Sequence, residues 1–335
     1  PNKMKIICTL GPSSYNSSVL KKLQNLKINI FRINLSHTPK NDIYNKIVYL
    51  KKNKIKNICI DTEGAQVRTT KVKKKILLKK NKKVIISISA KLSSKKKINF
   101  YPNFNLLKCN IGTKINIGFN NLVLIVKKKN YKSKILTTKV IDEGYLESNK
   151  AVHINQNINL PALTAKDLFA IDLAIKNGIK FFAMSFVNKE NDIKQIRKLI
   201  KNNTFLISKI ETRSALQNLE KISKKLDALL IDRGDLSRYV PIEKIPVAQE
   251  KIINHGKEKN IPVYVATNLL ETMIKEPQPT RAESHDIYST LKQGASGLVL
   301  AAETAIGRSP IDCVKFLKKS ISVFKNKNKN KLFKK

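Results

Sequence analysis

Short runs of apolar and β-branched residues alternate with amphipathic stretches of helix length through most of the chain. Eight of these runs have the length and composition of buried parallel strands, and most of them end in or lead into polar residues. They are Lys5–Leu10, Ile28–Asn34, Ile58–Asp61, Lys180–Ser185, Phe205–Ile210, Ala228–Asp232, Pro262–Ala266 and Gly297–Leu300. The clearest helical stretches are Ala165–Asn177, Glu190–Asn202, Arg213–Lys225 and Ile245–Lys259. Strands alternating with helices predict an α/β protein, a (β/α)8 TIM barrel.

Residues 69–151 break this rhythm, because apolar and polar positions there alternate with a period of two. Such alternation predicts a small all-β domain, here of the β-barrel kind, inserted after the third strand. About 250 residues remain outside it, which is the size of a bare barrel. We therefore predict a barrel from residues 1–68 and 152–323. The Lys/Asn-rich tail, residues 324–335, is expected to be disordered.

The chain is strongly basic, with a formal net charge of +42. Only eight of its 66 basic residues are Arg, the side chain best suited to bidentate contacts with phosphates and bases. Lys, Asn and Ile are residues of A/T-rich codons, so genome composition explains the charge, and we expect no specific nucleic-acid partner. No apolar run is long enough to cross a membrane. The four cysteines form no CxxC pair, and three of them lie in predicted strands or helices as small apolar core residues, which suits a reducing compartment and predicts a cytoplasmic protein.

Polar residues cluster where the predicted strands end, the face on which barrels of this kind hold their active sites. Any one charged residue there is more often solvated than catalytic, but six strand ends carry such clusters. Glu211 and Asp235 offer the one or two carboxylates that Mg²⁺ prefers. Lys209 and Arg32 offer the positive charge that a transferring phosphoryl group requires. The set predicts phosphoryl transfer.

In order and spacing, these motifs resemble the pyruvate kinase family across nearly the whole chain. The matching segments are Lys5–Pro12, Phe31–His37, Asp61–Arg68, Leu160–Ala162 with Lys166 and Asp167, Ser185–Val187, Ser208–Glu211, Arg233–Leu236 and Ala266–Glu283. The last of these, a continuous string of 18 residues, is the most specific.

The resemblance implies Mg²⁺-dependent phosphoryl transfer from phosphoenolpyruvate to ADP, giving pyruvate and ATP in glycolysis. Lys209, Thr267 and Arg32 would be catalytic, with Thr267 near the enolate carbon that takes up a proton. Glu211 and Asp235 would hold Mg²⁺ (or Mn²⁺). The substrate would be bound by Arg32, Lys209, Arg233, Gly234, Asp235 and Thr267, its carboxylate received by the backbone of residues 233–235.

The resemblance also assigns the outer parts of the site. Arg32, His37, Arg68 and Lys166 would face the nucleotide. Asn34, Ser36, Asp61 and Thr62 would bind K⁺. The inserted domain would be a lid, and the chain would form a homo-oligomer. The family's C-terminal regulatory domain would be missing.

Several positions depart from the family's pattern. They are Glu63, Ala65 and Gln66 after the third strand, Ile117-Gly118-Phe119 in the inserted domain, Asn188, Ser237 and Ala301-Ala302. Gln66 puts the K⁺ requirement in question, and Ala301 removes a hydroxyl linked to proton delivery. Two alternatives stay open: a divergent barrel enzyme that uses phosphoenolpyruvate or pyruvate with another acceptor, and a catalytically weakened binding protein derived from a kinase.

Overall fold

A computed structural model describes residues 4–118, 122–156 and 158–327. The chain divides into two compact units. One holds the residues up to Gly64 and from Ala165 onward, and the other is Ala65–Thr164. The predicted domain limits at residues 69 and 151 remain a prediction.

The first unit is a closed barrel of eight parallel strands, each paired with its neighbours in chain order and the eighth with the first. The strands are Lys5–Leu10, Ile30–Asn34, Ile58–Asp61, Phe181–Met184, Phe205–Ile210, Ala228–Asp232, Val263–Ala266 and Gly297–Leu300. All eight predicted strands and the predicted fold class are confirmed. We number the barrel strands one to eight in this order.

The strands close into a barrel because alternate side chains from all of them pack into one interior cluster. Ile7, Ile30, Ile207 and Leu230 belong to it, together with the fully buried ring of Tyr264. Gly297 makes room for that ring, since a Cβ atom there would lie 2.7 Å from a ring carbon of Tyr264. The packed interior leaves only the strand ends for chemistry.

Helices connect the strands of this unit. They are Ser17–Asn25, Ile43–Lys52, Ala165–Lys176, Glu190–Leu199, Arg213–Gln217, Leu219–Ile222, Arg233–Leu236, Ile245–Glu258, Arg281–Gln293, Ala302–Ala305 and Pro310–Lys325. Three of the four predicted helices are continuous, but the predicted helix Arg213–Lys225 is interrupted at Asn218. The Asn218 side-chain amide donates to the backbone carbonyl of Asn188, and the Asn218 backbone is not helical. Side chains such as Asn often interrupt a helix by forming hydrogen bonds of their own with the backbone. None of the described helices is long and apolar enough to cross a membrane.

The second unit is a mostly antiparallel seven-stranded sheet with a separate two-stranded ribbon. Its strands are Arg68–Thr69, Ile76–Leu78, Lys83–Ile88, Lys97–Tyr101, Lys114–Ile117, Leu122–Asn130, Ile135–Asp142, Gly144–Leu146 and Val152–Ile154. An isolated bridge between Arg68 and Ala151 links the two ends of the larger sheet. Fully buried residues such as Ile86, Phe100 and Leu124 fill its own core.

The last helix, Pro310–Lys325, reaches into the segment predicted to be a disordered tail. Phe324 packs edge-on against Tyr288 at 5.5 Å between ring centroids, which explains why the helix continues there. Residues 328–335 of that predicted tail, and Phe119 of the divergent lid motif, lie outside the described residues. All four cysteines are buried and unpaired.

Candidate active site

Polar residues at the C-terminal ends of barrel strands two to seven converge around Lys209, which lies near the end of the fifth strand. Its ammonium group lies 2.8 Å from a Glu211 carboxylate oxygen and 3.4 Å from oxygens of both Asp61 and Asp232. It also donates a hydrogen bond to the Ser185 hydroxyl at 3.1 Å. Burial disfavours the charged ammonium, but Asp61, Glu211 and Asp232 outweigh it and raise the pKa of Lys209 above its ordinary value. The group is therefore a fixed positive charge in a water-poor site.

Arg32, on the second strand, is the other buried cation of this end of the barrel. Its guanidinium donates to the Thr9 hydroxyl at 2.8 Å and to an Asp61 carboxylate oxygen at 3.1 Å. Asp61 is completely buried and also accepts a hydrogen bond from the Ser185 hydroxyl at 3.2 Å. The shared carboxylate of Asp61 thus holds Arg32 and Lys209 side by side.

Three carboxylates meet beside Lys209. One oxygen from each of Glu211, Asp232 and Asp235 lies within 4.8 Å of the others. Glu211 Oε2 accepts a hydrogen bond from the backbone N–H of Phe186 at 2.6 Å. Its Oε1 is buried and, among the described residues, receives no hydrogen bond of good geometry, although the Lys209 ammonium lies 2.8 Å away.

The pKa of the Glu211 carboxylate is raised above its ordinary value. Burial raises it most, Lys209 lowers it, and Asp235 and Asp232 raise it further. Crowded oxygen ligands of this kind suit a hard divalent cation such as Mg²⁺. The donor set therefore fits the metal that the sequence predicts.

Thr267 follows the seventh strand with a backbone φ of +79°, which is strained for a β-branched residue. The Arg233 guanidinium stabilises this backbone, because it donates to the Thr267 carbonyl at 2.5 and 3.1 Å while Asp286 accepts from it at 2.8 Å. The Thr267 hydroxyl donates to Asp232 at 2.8 Å. Arg233 therefore acts through its side chain on the backbone of Thr267.

Gly234 lies directly against this residue. A Cβ atom at position 234 would come within 2.8 Å of the Thr267 methyl group, so only glycine fits there without displacement. One N–H of the short helix Arg233–Leu236, that of Asp235, points at the Asp232 side chain at 3.4 Å.

Asp167, which is fully buried, stabilises the loop after the third strand. Its two carboxylate oxygens accept hydrogen bonds from the backbone N–H groups of Glu63 at 2.8 Å and Gly64 at 3.1 Å. Lys166, predicted to contact the nucleotide, forms an ion pair with Glu63 at 2.6 Å. The Thr62 hydroxyl accepts from the Ser185 N–H at 3.0 Å.

The residues predicted to bind K⁺ lie on neighbouring strands. Asn34 stands opposite Asp61 in the parallel register, and Thr62 comes next along the chain. The Asn34 side chain accepts from the Ser36 N–H at 2.9 Å and so begins the turn Leu35–His37. Arg68, a predicted nucleotide contact, belongs to the β-rich unit, where it donates to the Asn149 carbonyl at 3.3 Å.

The predicted site residues did not include several members of this centre. Asp232 is the last residue of the sixth strand, immediately before Arg233, and this position could have identified it as a site residue. Ser185 likewise follows the fourth strand and contacts both Asp61 and Lys209. Thr9 and Asp167 act as hydrogen-bond partners of site residues, a role that no local pattern reveals.

Two of the divergent positions make local contacts. The Asn188 side chain donates to the Phe186 carbonyl at 2.9 Å and accepts from the Thr212 hydroxyl at 2.5 Å. The Ala301 N–H donates to the buried carboxylate of Glu303 at 2.7 Å, and Glu303 also accepts from Leu270 N–H at 3.2 Å. Glu303 therefore joins the loops after the seventh and eighth strands.

Comparison with known proteins decides the family. The sequence profile described as "Pyruvate kinase, barrel domain" matches residues 1–314. The chain belongs to the pyruvate kinase family. It is 33% identical over 327 residues to pyruvate kinase isozyme G, chloroplastic, of Nicotiana tabacum, covering 95% of this chain and 58% of that protein.

Two bacterial relatives carry the same family name. Identity is 32% to the pyruvate kinase of Geobacillus stearothermophilus, over 93% of this chain and 55% of the relative. It is 33% to that of Thermotoga maritima, over 94% of this chain and 69% of the relative. The chain thus spans little more than half the length of two of these three pyruvate kinases. The predicted resemblance is confirmed.

Proposed function

We propose that this chain catalyses phosphoryl transfer between phosphoenolpyruvate and ADP, giving pyruvate and ATP, as a cytoplasmic enzyme of glycolysis. The observation that carries the proposal is the buried Lys209 ammonium, fixed by Asp61, Glu211 and Asp232 at the open ends of the barrel strands. A permanent cation in a water-poor site stabilises charge on a transferring phosphoryl group far more strongly than it would in water.

Each predicted residue has a part in this reaction. Arg32 and Lys209 bind the phosphoryl oxygens and orient the group for transfer. Glu211 and Asp235 hold the divalent cation, Mg²⁺ or Mn²⁺, which supplies Lewis-acid polarisation of the substrate oxygens when bound. The backbone at Arg233, Gly234 and Asp235 receives the substrate carboxylate.

Thr267 lies at the proton-transfer side of the site. Its hydroxyl donates to Asp232 at 2.8 Å, so its oxygen can accept a hydrogen bond from the donor that delivers a proton to the enolate carbon. Ala301 offers no hydroxyl on the neighbouring strand end, so we expect slow protonation of the enolate and therefore slow turnover.

Two further sets of residues are assigned to the nucleotide and to the monovalent cation. Arg32, His37, Arg68 and Lys166 contact ADP in this proposal, with the β-rich unit acting as a lid. Asn34, Ser36, Asp61 and Thr62 bind K⁺, and the register of Asn34 with Asp61 supports that grouping. We further propose a homo-oligomer, without specific nucleic-acid binding. The four unpaired cysteines support a reducing compartment.

The test is pyruvate formation by the purified chain from phosphoenolpyruvate and ADP, measured with Mg²⁺, with and without K⁺, and after chelation of divalent cations. We expect turnover that requires both substrates and disappears on chelation. Folded protein that forms no pyruvate under any of these conditions would refute the proposal. Equal rates with and without K⁺ would remove the monovalent site from it and leave the rest intact.

A further inference from the structure

Asp232 is a carboxylate that the roles above use to fix Lys209 and to orient Thr267, yet it also lies beside the predicted metal ligands. It is the last residue of the sixth strand, and its Oδ1 accepts from the Thr267 hydroxyl at 2.8 Å and from the Asp235 N–H at 3.4 Å. Its Oδ2 lies 3.4 Å from the Lys209 ammonium. The Thr267 hydroxyl and the Asp235 N–H hold Oδ1 in place, and Oδ2 is therefore directed toward Lys209.

The spacing of the three carboxylates matters more than their number. One oxygen each of Glu211, Asp232 and Asp235 falls within 4.8 Å of the others, so a small inward shift of these side chains lets the three oxygens share one cation. Glu211 Oε1 is buried, lies 2.8 Å from the Lys209 ammonium and, within the described part of the chain, receives no hydrogen bond of good geometry. A carboxylate oxygen has more than one lone pair, so this oxygen can contact a divalent cation as well as Lys209.

A site with two protein carboxylates depends on substrate oxygens and water to complete the coordination of Mg²⁺. A third carboxylate from the protein adds a charged ligand that is present before any substrate arrives. Its position is fixed by the strand end rather than by a flexible loop, so little ordering is needed on binding.

We propose that Asp232 is a third protein ligand of the divalent cation and strengthens the binding of that cation to the substrate-free protein. This rests on the assignment of Glu211 and Asp235 in the proposed function.

Titration of the substrate-free chain with Mn²⁺, following free Mn²⁺ by electron paramagnetic resonance, tests this directly. Asp232→Asn keeps an oxygen to accept from Thr267 but removes the charge, and Asp232→Ala removes the ligand altogether. Asp172→Asn is the matched control, because Asp172 is exposed and pairs with Lys176 on a helix surface. We expect both Asp232 variants to raise the Kd for Mn²⁺ by about tenfold or more, and the control to leave it unchanged.

Thermal unfolding of each variant checks that the fold is retained. Equal Mn²⁺ affinity in the parent and in folded Asp232→Asn and Asp232→Ala would overturn the inference, as would a parent chain that binds no Mn²⁺ without substrate at millimolar concentrations. Both results are independent of turnover. Mn²⁺ binding that depends on Asp232 in a chain forming no pyruvate would leave the inference standing while refuting the proposed function.

Discussion

Asp167 offers a sharp test of how the barrel positions the loop that carries Asp61 and Thr62. Its carboxylate is fully buried and accepts hydrogen bonds from the N–H groups of Glu63 and Gly64 at 2.8 and 3.1 Å. Asp167→Ala removes both acceptors and leaves two backbone donors without them. Each unsatisfied buried donor costs about 1–3 kcal/mol, so we expect the variant to lose about 2–6 kcal/mol of stability.

Two measurements follow this change. Urea unfolding gives the loss of stability, and hydrogen exchange by mass spectrometry on a peptide spanning residues 60–66 reports on the two amides themselves. Asp167→Asn retains one oxygen as an acceptor and should lose roughly half as much. Unchanged protection of the Glu63 and Gly64 amides in Asp167→Ala, with a stability loss below about 1 kcal/mol, would refute the reasoning.

Three further substitutions probe the same end of the barrel. Gly64→Ala should destabilise the chain by about 1–3 kcal/mol, because φ is +67° and the added Cβ would lie 2.8 Å from the Ser185 carbonyl; a melting temperature equal to that of the parent would contradict this. Ala301→Ser should raise the turnover number by restoring a hydroxyl near the proton-transfer side, and an unchanged rate of pyruvate formation would count against that role. Arg233→Lys should lower turnover at least tenfold, because Lys cannot hold the Thr267 carbonyl and Asp286 together in a planar fork; parent-like kinetics would show that the strained Thr267 backbone does not need it.

The barrel could be predicted because buried parallel strands are continuous apolar runs with polar ends, and each run coincides with an observed strand within about two residues. The β-rich insertion could be predicted from the switch to a period of two. Candidate residues such as Lys209 and Glu211 followed from position alone, since residues that close parallel strands meet at one end of a barrel.

Contacts between distant segments of the chain could not be predicted from the sequence. Asp61 meets Lys209 across 148 positions, and Asp167 reaches back more than 100 residues to the loop it supports. The break at Asn218 depends on its bond to the Asn188 carbonyl, 30 residues away. Thr267 has a positive φ and its carbonyl accepts from the Arg233 guanidinium, and no propensity of threonine predicts either.

The most direct test of the central claim is the rate of pyruvate formation in Lys209→Met beside Lys194→Met. Lys194 is a half-exposed lysine paired with Glu190 on a helix, so its replacement removes one ammonium group without touching the site. Circular dichroism would establish that both variants are folded. Our account predicts that Lys209→Met loses turnover by a factor of about a thousand or more while Lys194→Met keeps the parent rate. Turnover in folded Lys209→Met within tenfold of the parent would contradict it.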